Sequence, residues 1–324
     1  MSFDGEFEGR LARIARAVSI TSPRTITFAG QEFETDGLRN QLQALLYQHC
    51  YCRAFDGRLG EATAPGMPSD GFVAALSEAN AGRARWSSGW TIASLNLDGT
   101  ATVRRGTLTF RVWPGEYWTQ DAPGMPPRIG ALVSIYVAKE SQTLQPGFYF
   151  AFGESIDDGR DTSSIVRFYW AITQDAAASL TRALTERLGR FQIPFRFKCS
   201  AAPWQYWRLD AAILYVDKHF FDVCSGVLGH VYDAVAASLR PQTPLFAKQL
   251  APGLGFAENP GPEESFGMQR CGLVADAILE AFARGEPAEA NVVQSIREQF
   301  TRNGLSFDRP YLNAGSRDTY RFSN

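Results

Sequence analysis

Apolar residues in the N-terminal part of the chain recur at the spacing of a helix. Between residues 37 and 55 they lie three or four positions apart: Leu38, Leu42, Leu45 and Leu46. This spacing predicts an amphipathic helix. His49 falls on its apolar face, which favours a histidine packed in the core over a catalytic one. Glycines and prolines between residues 57 and 69 break the pattern, so we expect a helical N-terminal region over residues 1–69 and a second region over residues 70–324.

Beyond this break, the hydrophobic pattern changes to the period of β-strands. Residues 90–96 and 101–105 flank an Asp98-Gly99 step, which can supply the positive φ that a tight hairpin turn requires. Residues 107–113, 131–138 and 147–152 are predicted as three more strands, separated by connections that contain proline or glycine. Local rules therefore predict a β-meander.

From residue 166 onward, strands and helices follow one another. We predict strands over residues 166–172, 192–198 and 206–216, the last two pairing antiparallel across a short loop. One helix is predicted from its N-cap Thr173 to Gly189, and another over residues 220–239. The fold class is therefore α+β, in which a helical N-terminal segment precedes a mixed, largely antiparallel sheet with packed helices.

The predicted strand pair has a cationic face. The period of two places Arg196 and Lys198 together, opposite the phenylalanines that alternate with them. By the same rule, Tyr206, Arg208 and Asp210 share one face of the next strand. If the two polar faces coincide, the sheet displays a cationic patch with one carboxylate.

Arg167 and Tyr169 of the preceding strand can lie beside this patch. Guanidinium groups match phosphate oxygens bidentately, and a lysine crowded by other cations loses its proton more readily. The face therefore suits a phosphorylated ligand. A solvated sheet face of charge pairs is the alternative that the pattern leaves open.

A glycine- and proline-rich segment over residues 248–261 begins at Lys248 and precedes another predicted helix. Such a segment can hold an anion on backbone N–H groups at the helix N-terminus, with Ser265 as N-cap and Arg270 in the first turns. The negative charges of Glu263 and Glu264 would oppose the binding of an anion there, and the P-loop motif is absent. An ordinary surface loop before a capped helix is equally compatible with the pattern.

Composition narrows the possible functions. The 32 Lys plus Arg against 34 Asp plus Glu give a net charge of −2, which excludes a strongly basic nucleic-acid binder. The chain has no apolar stretch of membrane length and an acidic N-terminus, so we expect a cytoplasmic protein without membrane contact. Its 5 scattered cysteines and 3 histidines have no metal-site spacing, so we expect reduced thiols and no metal.

Several of these segments also carry a family resemblance. The segments are VRFYW (166–170), IPFRFK (193–198), RLDAAILY (208–215), LAPGLGFAE (250–258), SFGMQR (265–270) and PYLNAGS (310–316). Their order and number resemble the HopA-type effector family, named for an Hrp outer protein that plant pathogens secrete. The resemblance extends over about residues 38 to 320.

The resemblance implies two different functions. Bacterial chains of this length in the family resemble the stand-alone lyases of class V lanthipeptide and thioamitide biosynthesis. There, a separate kinase-like protein phosphorylates Ser or Thr in a ribosomal precursor peptide, and the HopA-like partner eliminates phosphate to leave dehydroalanine or dehydrobutyrine. We therefore expect a phosphoserine/phosphothreonine lyase. The alternative is a non-enzymatic effector or phosphoprotein-binding module that uses the same cationic face.

Elimination chemistry, implied by the resemblance, gives roles to the residues above. It needs a base for the Cα proton and groups that neutralise the departing phosphate, but no metal or organic cofactor. We expect Lys198 as the base, Tyr169 or Tyr206 as the acid, and Asp210 as a residue that orients an arginine. The alternatives for the acid are a lysine, water or one of His49, His219 and His230. The expected phosphate-binding residues are Arg196, Arg208, Lys248 and Arg270, and the expected substrate contacts are Glu258 and Ser265.

Overall fold

Antiparallel sheets organise the chain, which this computed structural model describes over residues 3–60, 69–120, 125–156, 164–261 and 265–322. Within these ranges there are three sheets and seven α-helices, so the predicted α+β class is confirmed. The helices are α1 (Phe3–Ala17), α2 (Leu38–Leu46), α3 (Asp70–Ala79), α4 (Ala177–Arg190), α5 (Phe221–Val235), α6 (Phe266–Ala283) and α7 (Glu289–Arg302). No helix in these ranges combines the length and apolar character that crossing a bilayer requires.

The N-terminal segment begins with a helix, as predicted, but also contains a small sheet that the pattern did not reveal. Helix α2 confirms the predicted helix near residue 38, and a π-helical turn, Tyr47–Tyr51, continues it. His49 is buried and its ring meets that of Phe28 edge-on, so it is a core residue, as predicted. The small sheet consists of β1 (Val18–Ser22), β2 (Thr25–Phe28) and β3 (Gln31–Glu34).

A second sheet has a small core of its own. It consists of β4 (Arg85–Leu95), β5 (Ala101–Arg105), β6 (Leu108–Val112), β7 (Tyr117–Thr119) and β8 (Leu132–Val137), in the order β6-β5-β4-β8-β7. The hairpin around Asp98-Gly99 is confirmed, with Gly99 at φ +85°. Trp90, Val103 and Val133 are fully buried in this core, which is separate from that of the main body.

The third sheet, with seven strands, is the body of the molecule. Its strands are β9 (Glu140–Ser141), β10 (Phe148–Phe152), β11 (Ile165–Trp170), β12 (Arg196–Ser200), β13 (Ala212–Asp217), β14 (Lys248–Ala251) and β15 (Leu254–Glu258). They lie in the order β14-β15-β11-β13-β12-β10-β9, and every adjacent pair is antiparallel. The predicted meander is right only for β4, β5 and β6: β8 pairs with β4, and β10 joins the seven-stranded sheet through β12.

Two other sequence predictions are also wrong. Residues 206–211 do not begin a strand, since Pro203 starts a short 3₁₀ turn and β13 begins only at Ala212. Residues 248–258 are not a loop, since they form the β14–β15 hairpin, which turns at Gly253 with φ +77°. The apolar alternation of Leu254 and Phe256 prevails there over the glycine and proline signal.

Helix starts also differ from the prediction. A 3₁₀ turn, Gln174–Ala176, separates Thr173 from α4, and the Thr173 side chain makes no capping hydrogen bond. Helix α4 runs through Gly189 to Arg190. Ser265 occupies the N-cap position of α6, as expected, although its side chain makes no capping hydrogen bond.

Helices cover both faces of the seven-stranded sheet. On one face, Phe168 of β11 stacks on Phe221 of α5, with ring centroids 5.8 Å apart. On the other, Tyr169 meets Tyr51 of the π-helical turn at 6.4 Å and Phe266 of α6 at 6.3 Å. Residues from the N-terminal helices and from this sheet thus share one hydrophobic core. The face that carries Tyr169 is also the face that carries the cationic side chains.

Candidate functional site

A cavity of about 390 Å³ opens between the seven-stranded sheet, the π-helical turn and the start of α6. The pairing register explains which strand residues form its floor. Arg196 on β12 pairs with Tyr215 on β13, which pairs with Arg167 on β11, so the three form one row across the sheet. Two residues along, Lys198 pairs with Ile213 in a parallel row. Because alternate strand residues point the same way, both rows face the cavity.

The Tyr215 ring lies between two guanidinium groups. The Arg196 Cζ is 4.7 Å from the ring centroid, and the Arg167 Cζ is 5.3 Å from it. Arg167 is buried and also donates hydrogen bonds to Asn259 Oδ1, the one from its Nε being 2.7 Å long. The row therefore presents two fixed positive charges, separated by an aromatic ring.

Lys198 is half-buried beside this row. Its Nζ lies 3.7 Å from the centre of the Phe148 ring and 6.0 Å from that of Phe150. Burial lowers the pKa of Lys198 to about 8; the Asp210 carboxylate opposes this shift, and the surrounding arginines add to it. About a tenth of this amine is therefore unprotonated at pH 7 and about half at pH 8, which provides the neutral form that a general base requires.

Arg208 and Asp210 reach the cavity from the turn between β12 and β13. Two hydrogen bonds of 2.9 Å join the Arg208 guanidinium to the Asp210 carboxylate. The Tyr47 hydroxyl accepts from Arg208 Nη2 and donates to Asp210 Oδ2, each at 3.0 Å. Burial would raise the pKa of Asp210, but the Arg208 charge outweighs it and lowers that pKa, so the pair stays ionised.

Backbone contacts hold this turn in place. The Leu209 N–H donates to the Cys52 carbonyl oxygen at 2.8 Å, which ties the turn to the end of the π-helical segment. The Arg240 guanidinium donates to the carbonyl oxygens of Trp207 and Arg208. The positions of Arg208 and Asp210 therefore depend on tertiary contacts rather than on strand pairing.

Of the residues predicted for the site, five line the cavity: Arg196, Lys198, Arg208, Asp210 and Ser265. Tyr169 lies beneath the floor and is almost completely buried. Burial raises the pKa of Tyr169 to about 12, against the opposing effect of the Arg167 charge.

Two other predicted residues lie elsewhere. Tyr206 is buried, and its hydroxyl donates to the Ser200 carbonyl oxygen at 2.9 Å. Lys248 lies on the edge strand β14, in the row of Phe256 that faces away from the cavity, and its Nζ donates to both carboxylate oxygens of Asp318 at 2.8 Å. Their positions correct the sequence expectation, because neither side chain reaches the cavity.

Arg270 and Glu258 also make packing contacts rather than lining the cavity. The Arg270 guanidinium, which is fully buried, donates to the carbonyl oxygens of Pro310 and Leu312 at 2.9 and 3.0 Å. Glu258 accepts a hydrogen bond from the Tyr320 hydroxyl at 2.6 Å. Both residues tie the C-terminal segment to the body. Positions 263 and 264, which were predicted to oppose an anion, lie outside the described residues.

The cavity also contains residues that sequence reasoning missed. Tyr47 and Tyr51 stack with ring centroids 5.3 Å apart in the π-helical turn, a distortion that often marks functional sites. Asn259 follows β15 and holds Arg167. Only Tyr215 had a usable signal, since the period of two along β13 places it on the same face as Ile213.

Across the described residues, no group of three or more His, Cys, Asp or Glu side chains is arranged to hold a metal ion. The site is thus built from guanidinium, amine, carboxylate, amide and phenol groups. Such a set can bind an oxyanion and can transfer a proton through Lys198.

Comparison with protein-family models identifies one family. Residues 139–312 match the model of the HopA1 effector protein family. Two solved effector structures are similar to this chain. One, from Pseudomonas syringae pv. tomato strain DC3000, is 16% identical with a TM-score of 0.49, over 96% of this chain and 97% of that one. The other, from Pseudomonas syringae pv. syringae strain 61, is 13% identical with a TM-score of 0.46, over 86% and 94%. No curated protein matches the sequence.

Proposed function

The chain belongs to the HopA1 effector protein family, and from this premise and the cationic cavity we propose that it is a phosphoserine/phosphothreonine lyase. It would act in the cytoplasm on a ribosomal precursor peptide that a separate kinase-like protein has phosphorylated. One observation carries the proposal: Lys198, with a pKa of about 8, lies in a cavity whose other cations are arginines. A proton acceptor beside groups that can bind phosphate supports this proposal.

The elimination needs only these residues and the phosphorylated peptide, with no further reactant. The neutral amine of Lys198 removes the Cα proton, the Cα=Cβ bond forms, and the Cβ–O bond breaks. Its electron pair leaves with the phosphate. Lys198 then returns the proton to the departing oxygen, which yields hydrogen phosphate and regenerates the amine. The peptide retains dehydroalanine from phosphoserine or dehydrobutyrine from phosphothreonine.

The charges of the cavity fit this substrate. With Lys198 neutral, three guanidinium groups and one carboxylate among the described lining residues give a net charge of 3 − 1 = +2. A phosphate monoester carries nearly two negative charges at neutral pH. Because Asp210 already pairs with Arg208, we assign the neutralisation of the phosphate charge to Arg167 and Arg196.

Mass spectrometry of a phosphopeptide after incubation with the purified protein tests the proposal. The substrate is a precursor peptide treated with its kinase, or a synthetic phosphothreonine peptide. We expect loss of phosphoric acid and a product alkene that adds a thiol. Lys198→Ala should abolish this reaction, whereas Lys218→Ala is the matched control, since Lys218 is exposed outside the cavity.

Two outcomes would contradict the lyase. A precursor that binds but stays phosphorylated would favour a phosphopeptide-binding module. Dephosphorylation to an intact hydroxyl would indicate a phosphatase. Full activity of Lys198→Ala would remove Lys198 as the base while leaving the reaction in place.

A further inference from the structure

Arg167 and Arg196 are held in different ways, although both face the Tyr215 ring. Arg167 is buried, and Asn259 accepts its hydrogen bonds. Arg196 is exposed, and among the described residues its side chain has no hydrogen bond or ion pair. Stacking on Tyr215 is thus the contact that fixes the Arg196 guanidinium.

We propose that Tyr215 is a positioning residue: its ring holds Arg167 and Arg196 as a pair of guanidinium groups that binds the phosphate dianion. This deepens the proposed function and rests on it for the choice of a phosphorylated ligand. Arg208 is not assigned to this pair, because the Asp210 carboxylate and the Tyr47 hydroxyl already accept hydrogen bonds from its Nε and Nη2.

The physical basis is the ring face, not the phenol oxygen. An aromatic face attracts guanidinium groups through its quadrupole, and the attraction is stronger where water is partly excluded. A long arginine side chain otherwise loses rotamer entropy when it binds a ligand, so an arginine that is already stacked binds more tightly. Tyr215 is central in the Arg196–Tyr215–Arg167 row, so one ring can order both charges.

Binding measurements on Tyr215 variants test this role without requiring turnover. The probes are inorganic phosphate and a phosphothreonine peptide, and the readout is Kd by calorimetry or fluorescence anisotropy. We expect Tyr215→Leu to weaken phosphopeptide binding about tenfold, while Tyr215→Phe stays within about twofold of the unmodified protein because the ring remains. Tyr136→Leu is the matched control, since Tyr136 is exposed on the second sheet.

A double-mutant cycle separates positioning from a general structural effect. In an Arg196→Ala background, Tyr215→Leu should cost clearly less than its about tenfold effect alone, because one of its two partners is already gone. Tyr215→Val, which suits a strand, replaces the leucine variant if that protein fails to fold.

Three results would overturn the role. They are an unchanged Kd for folded Tyr215→Leu, an equal loss in Tyr215→Phe, which would assign the contact to the hydroxyl, and full additivity with Arg196→Ala. Phosphopeptide binding that shows the expected pattern without elimination would support Tyr215 while contradicting the lyase, so the two proposals fail separately.

Discussion

Lys198 owes its chemistry to its place in the sheet rather than to its local sequence. The side chain is half-buried against Phe148, and burial has the largest effect on its pKa. The Asp210 carboxylate opposes this shift, and its pairing with Arg208 offsets part of its charge. The turn between β12 and β13 therefore affects the pKa of Lys198, because it positions the Arg208–Asp210 pair that limits the effect of the Asp210 charge.

This balance predicts how the reaction depends on pH. Below a pKa of about 8 the amine of Lys198 is protonated and cannot accept the Cα proton, so kcat/KM should rise between pH 6.5 and 9 and level off above. The second ionisation of a phosphate monoester, near pH 6, is about nine-tenths complete at pH 7, so the rise above pH 7 reports mainly on Lys198. Initial elimination rates measured across the range check the prediction, and a flat profile from pH 7 to 9 would contradict it.

The lowered pKa of Lys198 should also change how the free energy of unfolding depends on pH, which can be measured without a substrate. A lysine whose pKa falls from 10.5 unfolded to about 8 folded destabilises the native state most below pH 8. As pH rises from 8 to 10.5, the unfolded chain binds more protons than the folded one, so this penalty declines. Lys198→Met should therefore be more stable than the unmodified protein at pH 7, and urea unfolding should show that advantage shrinking by pH 10.

At the scale of elements, the β14–β15 hairpin depends on one glycine. Gly253 has φ +77°, and a Cβ there would lie 2.4 Å from the Arg240 carbonyl oxygen. Gly253→Ala should reduce the free energy of unfolding by about 2 to 4 kcal/mol, because left-handed backbone strain adds to a backbone clash. Gly261→Ala is the control, since a Cβ there meets nothing within 4 Å. Urea unfolding of both variants measures the difference, and equal stability would contradict the turn geometry.

The elements of this fold were predictable where a local signal determined them. The hairpin at Asp98-Gly99 and the shared face of Arg196 and Lys198 follow from turn chemistry and the period of two. The turn that carries Arg208 was predicted as a strand because its apolar residues alternate. Its actual shape is determined by tertiary contacts to Cys52 and Arg240. The alternation of apolar and polar residues does not by itself reveal whether a segment pairs with a neighbouring strand.

Some residues of the candidate site had no local signal at all. Tyr47 and Tyr51 reach the cavity because a helix near residue 38 widens into a π-helical turn and packs on the sheet. Arg270 and Lys248 looked like phosphate ligands from their sequence context, yet one is buried against carbonyl groups and the other pairs with Asp318. Which cations remain available to a ligand is decided by partners far away in sequence.

At the scale of the whole molecule, the described residues form two separate hydrophobic cores. The main core contains all five cysteines, which are buried as free thiols, and burial raises the pKa of Cys199 to about 12. The second sheet has a separate core around Trp90 and Val103. Thiol reactivity thus reports on the main core. Trp170, Trp204 and Trp207 lie in the main body, so fluorescence reports on the smaller core when these three are replaced by phenylalanine.

Separate cores can open at different free energies, so we expect the second sheet to unfold at lower urea concentration than the body. Val103→Ala removes buried methyl groups from the small core and should destabilise that sheet by about 1 to 3 kcal/mol. It should shift the fluorescence midpoint in urea and leave the thiol-labelling midpoint unchanged. Val231→Ala, in the main core, should lower the thiol-labelling midpoint instead. Midpoints that move together in both variants would contradict this prediction. They would show that the second sheet and the body, which contains the cavity, unfold in a single transition.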